Sequence, residues 1–472
     1  MTAAQPGVES IDALVIGSGQ GGTPLARELA RSGRQTVLVE AANVGGTCVN
    51  VGCTPTKTMV ASARVADVVR RAAEYGVHVP DGQIEIDLER VHARKEATVQ
   101  SWRAGSQRSI DNTAGLTLVR GTAHFVGPHA VEVESPNIDP SRRRFESRLV
   151  FINTGLRPAV PSLPGLDGID WLDSTRIMEL VHVPEHLIVL GGGYVGLEFG
   201  QMFRRFGSRV TLVQRGPRLL PREDPDIADA VAEILRQDGL EVLLETTALH
   251  VAGDSHGVQL KVRSADGAER GLDGSHLLVA TGRVPNTEQL DLPSAGIQLD
   301  AHGFIRTDDR LQTSVPGVYA LGDVRGGPAF THISYDDFRI ACANVLEGGN
   351  ASVRERLVPY TVFIDPQLGR VGLSETEARR QGRNVRVAKL PMDRVARARE
   401  VGETRGVMKA VVDAESQQIL GCAILGLEGG EIMAVLQVAM MGGLPYTTIK
   451  EGVFAHPTLA ESLNNLFLTL DS

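Results

Sequence analysis

The stretch that decides the fold runs from Ile11 to Glu40 and reads IDALVIGSGQGGTPLARELARSGRQTVLVE. Ile11 to Ile16 is a short apolar run, the pattern of a strand buried on both faces of a parallel sheet. It feeds Gly17, Gly19 and Gly22, spaced G-x-G-x-x-G, and then a helical stretch from Pro24 to Arg31. A second strand, Thr36 to Val39, ends at Glu40, 23 positions after Gly17. The first glycine permits the tight turn, the second lets a pyrophosphate approach the backbone, and the third lets helix and strand pack closely. The helix start offers unpaired N–H groups and positive dipole to phosphate, and Glu40 is placed to accept from a ribose diol. Strand, glycines, helix, strand and acid in register predict a dinucleotide site.

The same unit recurs. His186 to Leu190 is a predicted strand, Gly191, Gly193 and Gly196 repeat the spacing, a helix follows through Phe206, and a second strand spans Arg209 to Val213. The position matching Glu40 is Gln214, followed by Arg215. Such a duplication implies two dinucleotide sites and two cofactors. Exchanging the acid for Gln-Arg removes repulsion toward a 2′-phosphate and offers it a guanidinium, which favours NADPH over NADH. The alternative reading of Arg215 and Arg218 is that they are solvated surface charges. Leu149 to Gly155 and Leu277 to Gly282 are apolar runs ending in Thr-Gly, and Gly317 to Asp323 delivers an aspartate to a strand's carboxyl end. From about Val358 the texture becomes α+β, with strands expected over Thr361 to Ile364, Val407 to Val412 and Ile419 to Leu425.

Between the two units lies Gly45 to Lys57, GGTCVNVGCTPTK. Cys48 and Cys53 stand five apart, with Lys57 four residues on. In a chain with four cysteines this pair reads as redox chemistry delivered beside a cofactor. A zinc half-site is the competing reading, but no second cluster with ligand spacing completes it, so no resident metal is expected. Cys342 and Cys422 lie in apolar runs and read as buried, inert thiols.

A chain of 472 residues is too long for one core. Its 42% hydrophobic and 22% charged content is ordinary for a globular protein, and a net charge of −9 without a basic block argues against nucleic acid. No apolar run reaches the roughly 18 residues that span a bilayer. Met1 to Ser10 lacks the layout of a secretory signal, so a cytoplasmic enzyme is expected.

Taken together, these motifs resemble, from Ile11 to Phe467 and in the same order, the class I pyridine nucleotide-disulfide oxidoreductases, the family of glutathione reductase, dihydrolipoamide dehydrogenase and mercuric reductase. The resemblance implies an α/β fold: two doubly wound (Rossmann-like) dinucleotide-binding domains and a C-terminal α+β dimerisation domain. It implies an FAD-binding domain over 8–155, an NAD(P)-binding domain over 156–282, a return to FAD-binding segments over 283–352, and the dimerisation domain over 353–472. FAD is then expected at Gly17, Gly19, Gly22, Glu40 and Asp323, with Gly46, Thr47, Lys57, Thr154, Gly155, Gly282 and Thr331 also at cofactor. The nicotinamide nucleotide, NADPH with NADH as the alternative, is expected at Gly191, Gly193, Gly196, Gln214 and Arg215. By the same likeness Cys48 is the interchange thiol and Cys53 the thiol against the flavin. Lys57 is the lysine near the flavin, with Glu198 its carboxylate partner, and Tyr194 is the tyrosine that covers the flavin in some members. His456 and Glu461, in the run H-P-T-L-A-E, form the acid/base dyad contributed by the second subunit of a homodimer.

Mercuric reductases usually carry a C-terminal cysteine pair, whereas this chain has no cysteine after Cys422, and they tend to have tyrosine where His456 stands. The family's usual Thr-Pro is Thr331-His332 here, followed by D-D-F-R-I at Asp336 to Ile340, a variant similar to flavin reductases linked to copper and reactive-chlorine stress. The expected function is electron transfer from NAD(P)H through FAD to the Cys48–Cys53 disulfide. The final oxidant is small: a metal ion such as Hg(II) or Cu(II), a small disulfide, or a quinone. A transient contact of substrate metal with Cys48, Cys53 and His332 is part of that reading. Two alternatives stand beside it, a dihydrolipoamide dehydrogenase component of a multienzyme complex and a flavoprotein redox sensor without turnover.

Overall fold

The computed structural model describes residues 7–79, 84–135, 142–254 and 257–471. Met1 to Pro6, part of the stretch read for a leader, and Ser472 lie outside the described residues. The chain divides into two compact units. One takes Met1–Thr58, Ala93–Ala159 and Arg283–Arg356, and the other takes Met59–His92, Val160–Gly282 and Leu357–Ser472.

The first unit is built on a five-stranded parallel sheet ordered Val318–Ala320, Leu149–Ile152, Ala13–Ile16, Thr36–Glu40, Leu116–Arg120. Alternate residues serve opposite faces of this sheet. Ala13 and Val15 pack with Leu25, Ala26 and Leu29 of the helix Gly22–Arg31 and with Ile340 and Ala341 of the helix Thr331–Val345. Leu14 and Ile16 pack on the other face with Phe125, Val131 and Phe145. Those three belong to a four-stranded sheet of Val8–Ser10, Arg142–Glu146, Ala130–Glu134 and Thr122–Gly127. Both faces being covered explains why the central strands are uninterrupted apolar runs. The expected strand Ile11 to Ile16 is shorter than its pattern. Asp12 turns its carboxylate to the Gln35 N–H at 2.7 Å, so the ladder begins at Ala13, and Val8–Ser10 joins the other sheet.

The second unit repeats the parallel arrangement with Glu241–Leu243, Arg209–Val213, His186–Leu190 and His276–Val279. One face carries a three-stranded antiparallel sheet that contributes Val251, Leu260, Val262 and Leu272 to the core. The same unit holds a five-stranded antiparallel sheet ordered Tyr360–Val362, Gln367–Gly372, Ile419–Gly426, Val407–Asp413, Val385–Pro391. Its first strand stops at Val362 rather than Ile364. Beyond it, side chains of the helix Tyr194–Phe206 accept from the backbone: Phe363 donates its N–H to the Glu198 carboxylate at 2.9 Å and Asp365 its N–H to the Gln201 side-chain amide oxygen at 2.8 Å. No helix among the described residues is long and apolar enough to cross a membrane.

Candidate active site

The first glycine turn is fixed by backbone that leaves no room for side chains. Gly17 has φ +102°, and a Cβ there would meet the Asn153 carbonyl oxygen at 2.4 Å. A Cβ on Gly22 would sit 2.0 Å from the Gly17 carbonyl oxygen, so the helix packs directly against the turn. Asn153, buried at the end of its strand, ties the arrangement together. It accepts from the Gly22 N–H at 2.9 Å and donates to the Leu321 carbonyl at 2.8 Å. Sequence reading passed over Asn153, although an amide closing an apolar strand just before Thr-Gly was the available signal.

Glu40 accepts from the Ser18 N–H at 3.0 Å and hydroxyl at 2.6 Å, and from the Ala42 N–H at 2.8 Å. Gln214 does the corresponding thing in the second unit, accepting from the Gly192 N–H at 3.0 Å while donating to the Arg218 carbonyl at 3.2 Å. The duplication therefore extends to one hydrogen bond: the side chain after the second strand accepts from the residue after the first glycine. The difference is charge, a carboxylate in one unit and a neutral amide in the other. Arg215 is exposed, and Arg218 lies 3.4 Å from Asp229 in an exposed ion pair.

Both turns fit a dinucleotide. Within the second, Gly191 has φ +119°, a Cβ on Gly196 would meet the Gly191 carbonyl oxygen at 2.2 Å, and the Cβ direction of Gly193 faces open space. Gly155 and Gly282, which follow Thr154 and Thr281, likewise point at nothing within 4 Å. The Thr154 hydroxyl is engaged by the Asn286 carbonyl at 2.9 Å. Asp323 is largely buried 3.6 Å from Arg283, and burial pushes its carboxyl above the usual range.

The dithiol is carried on a loop stitched to the first turn. Gly45 donates its N–H to Ser18, Gln20 donates to the Gly45 carbonyl at 3.2 Å, and a Cβ on Gly46 would lie 2.6 Å from the Gly19 Cα. Asn50, between the cysteines, donates to the carbonyls of Val44 at 3.0 Å and Gly46 at 2.9 Å and accepts from the Arg103 Nε at 2.8 Å. It is a positioning residue that no motif signalled. Thr47 and Cys48 lie in the short helix Gly46–Asn50, and Cys53 opens the helix Cys53–Arg70. Lys57, one turn along that helix, is half-buried.

Cys53 Sγ lies 3.3 Å from the Thr331 hydroxyl. The Cys48 thiol is pushed well up, chiefly by its hydrogen bond to Cys53, then by burial and by the Cys53 charge, while Thr331 and the Lys57 ammonium act the other way. His332, next in line, is exposed and stacks on Phe330 with ring centroids 5.4 Å apart and planes 9° apart. Cys342 and Cys422 are pushed up to about 12 by burial, as inert thiols are.

In the second unit Tyr194 opens its helix half-buried, and Glu198, one turn on, is buried at 3% exposure. His456 directs Nδ1 at the Glu461 carboxylate at 2.9 Å, with the imidazole 68% exposed in the single chain. This bond fixes the ring's orientation and leaves Nε2 as its other nitrogen.

Residues 11–337 match the family model for pyridine nucleotide-disulphide oxidoreductase, and 358–467 match its dimerisation domain. The chain is 38% identical over 460 residues to the probable pyridine nucleotide-disulfide oxidoreductase RclA of Escherichia coli (strain K12), covering 96% of this chain and 98% of that one. It is 35% identical to a mercuric reductase of Staphylococcus aureus, covering 98% and 82%, and 35% identical to a dihydrolipoyl dehydrogenase of Thermus scotoductus (strain ATCC 700910 / SA-01), covering 97% and 96%. Among solved structures, the HOCl-induced flavoprotein disulfide reductase RclA from Escherichia coli superposes with TM-score 0.87 at 36% identity, over 97% of this chain and 99% of that one. Its Cu(II) complex superposes with TM-score 0.88 at 36% identity, over 98% and 99%.

Proposed function

The chain belongs to the class I pyridine nucleotide-disulfide oxidoreductases, enzymes that use FAD and a nicotinamide nucleotide, and on that premise we propose that it is an NADPH-dependent reductase working through Cys48 and Cys53. Its terminal oxidant is a small species, a thiophilic metal ion such as Cu(II) or Hg(II), a small disulfide or a quinone. The observation that carries the reading is the dithiol itself: Cys48 and Cys53 on a loop laced to the first glycine turn, with the Cys53 sulfur 3.3 Å from the Thr331 hydroxyl.

When bound, the two cofactors supply the electron pair that opens the disulfide. The chain's residues do the rest. The turn from Gly17 to Gly22 and Glu40 hold the FAD nucleotide and ribose, and Asp323 takes its polyol. The turn from Gly191 to Gly196, with Gln214 and Arg215, holds the nicotinamide nucleotide. Gly46, Thr47, Lys57, Thr154, Gly155, Gly282 and Thr331 complete the contacts, and Tyr194 and Glu198 serve on the helix that follows the second turn. Cys48 exchanges with the oxidant and Cys53 keeps the thiolate. His456 of a second subunit, oriented by Glu461, moves the proton at Cys48, which makes the homodimer the working form. The domain boundaries at 155, 282 and 352 delimit these parts.

A metal ion as substrate is favoured by His332, the residue next to the threonine whose hydroxyl lies 3.3 Å from the Cys53 sulfur, since soft metals bind thiolate and imidazole together. The test is NADPH oxidation with Cu(II), Hg(II), oxidised glutathione, lipoamide and a quinone, repeated in His332→Pro. A metal-dependent rate that falls in the variant supports the reading. Turnover of lipoamide alone, with NAD⁺ preferred, would overturn it.

A further inference from the structure

We propose that the buried Asp337 carboxylate is a positioning residue for FAD: it grips the turn Gly322–Arg325 at both ends and so places Asp323 against the flavin polyol. The proposal rests on the reading of Asp323 as the partner of that polyol. Asp337 belongs to the run D-D-F-R-I on the helix Thr331–Val345, and its side chain is 0% exposed. A carboxylate withdrawn from water is tolerated where donors converge on it. Here they come from the turn after the strand Val318–Ala320 and from Arg356, far along the chain. Asp337 Oδ2 accepts from the Gly322 N–H at 2.8 Å and lies 3.8 Å from the Arg325 Nη1, while Oδ1 accepts from the Arg356 guanidinium.

Gly322 and Arg325 are the first and last residues of a single helical turn, with Asp323 inside it. The leading N–H groups of such a turn have no partner within it. Leu321, just before it, offers no capping side chain, so the Asp337 carboxylate acts as the cap from a separate element. Gly322 has φ +69°, and a Cβ there would meet the Ser334 Oγ at 2.5 Å. Ser334 and Asp337 stand three apart on one face of their helix, so the turn rests on that face at two points. At the far end Arg325 donates Nε to the Thr307 hydroxyl at 3.2 Å. Asp323 meets Arg283 at 3.6 Å, a looser contact than the bond that holds Gly322.

The charge of Asp337 matters as much as its hydrogen bond. Arg325 and Arg356 are both largely buried, and each guanidinium disfavours the other. Asp337 is the anion common to both, with Asp336 taking a further share of Arg356 at 3.3 Å. Without that charge the two cations repel across the end of the turn, and Arg325 shifts with Asp323 behind it.

The experiment titrates the apo-protein with FAD, followed by flavin fluorescence, in Asp337→Asn, in Asp323→Ala and in the double variant. Asp337→Asn keeps an acceptor for the Gly322 N–H but loses the charge. Its Kd for FAD rises about ten- to a hundredfold, the worth of a hydrogen bond to a charged group. Because Asp337 works through Asp323, the double variant loses less than the product of the two single losses. A general weakening of the unit would multiply in full. Hydrogen exchange at the Gly322 amide accelerates, while amides of the strand Leu149–Ile152 stay protected. Should Asp337→Asn fail to fold, Arg325→Gln, which frees the far end of the turn, raises the Kd in the same direction. A Kd within about twofold of the parent in Asp337→Asn or its Arg325→Gln substitute, or losses that multiply in full, overturns the proposal. If Asp323→Ala binds FAD as the parent does, the reading of Asp323 falls, and exchange at Gly322 still decides whether Asp337 holds the turn.

Discussion

Replacing Asn50 by alanine tests whether the dithiol loop is held by the hydrogen bonds the structure assigns it. The Asn50 amide has two hydrogens, and its nearest acceptors are the carbonyls of Gly46 at 2.9 Å and Val44 at 3.0 Å. Each such bond contributes about 1 kcal/mol, and the charge-assisted bond from Arg103 at 2.8 Å about 1.5 kcal/mol. Their loss weakens the closed loop by about 3 kcal/mol, with the half-buried position leaving water to satisfy Arg103 in part. Because the bonds are local, the effect belongs to loop opening rather than to global unfolding. Hydrogen exchange of the Gly45 and Val51 amides, which donate to Ser18 and Thr47, reads that opening directly. At 1.4 kcal/mol per tenfold, their exchange accelerates about a hundredfold. Amides of the Gly22–Arg31 helix stay protected. Asn50→Asp also fails, since a carboxylate keeps Arg103 but faces two carbonyl oxygens. Exchange at Gly45 and Val51 within threefold of the parent would refute the assignment.

Three further outcomes are expected. Arg215→Glu shifts the ratio of kcat/KM for NADPH over NADH by about ten- to a hundredfold toward NADH, the worth of a charge-assisted phosphate contact, and a parent enzyme indifferent to the two would contradict it. Asp224 accepts from the Glu375 N–H, the Thr376 N–H and hydroxyl, and Lys409. Burial opposes its ionisation, but these partners hold its pKa down to about 2. Its folded value lies below the unfolded one, so its stabilisation is complete above about pH 4 and disappears as pH falls toward 2. Asp224→Asn therefore costs about 3–5 kcal/mol near neutral pH and much less near pH 2, read by denaturant unfolding across that range. Finally, mixing Cys48→Ser with His456→Ala chains under subunit exchange restores about a quarter of the active sites, and no recovery despite proven exchange would place the dyad within one chain.

The glycine turns with their flanking strands and helices were legible along the chain because they rest on local rules, whereas the pairing of His456 with Glu461 was expected only from the family resemblance. Glycine spacing fixes a turn, apolar runs fix buried strands, and His456 reaches Glu461 five residues away, at 2.9 Å. Glu40 and Gln214 were placed by counting alone, and both proved to cap the turn of their own unit. The tertiary structure decided what long-range contact decides. Asn153 closes the first turn across 131 residues, Arg103 pins Asn50 across 53, and Thr331 reaches Cys53 across 278. Strand ends were also settled this way: the Asp12 carboxylate takes the Gln35 N–H, and the Phe363 N–H leaves its ladder for the Glu198 carboxylate. A pattern along the chain records which groups are apolar and which turns are open, but a polar group's partner is chosen by whatever folding brings beside it.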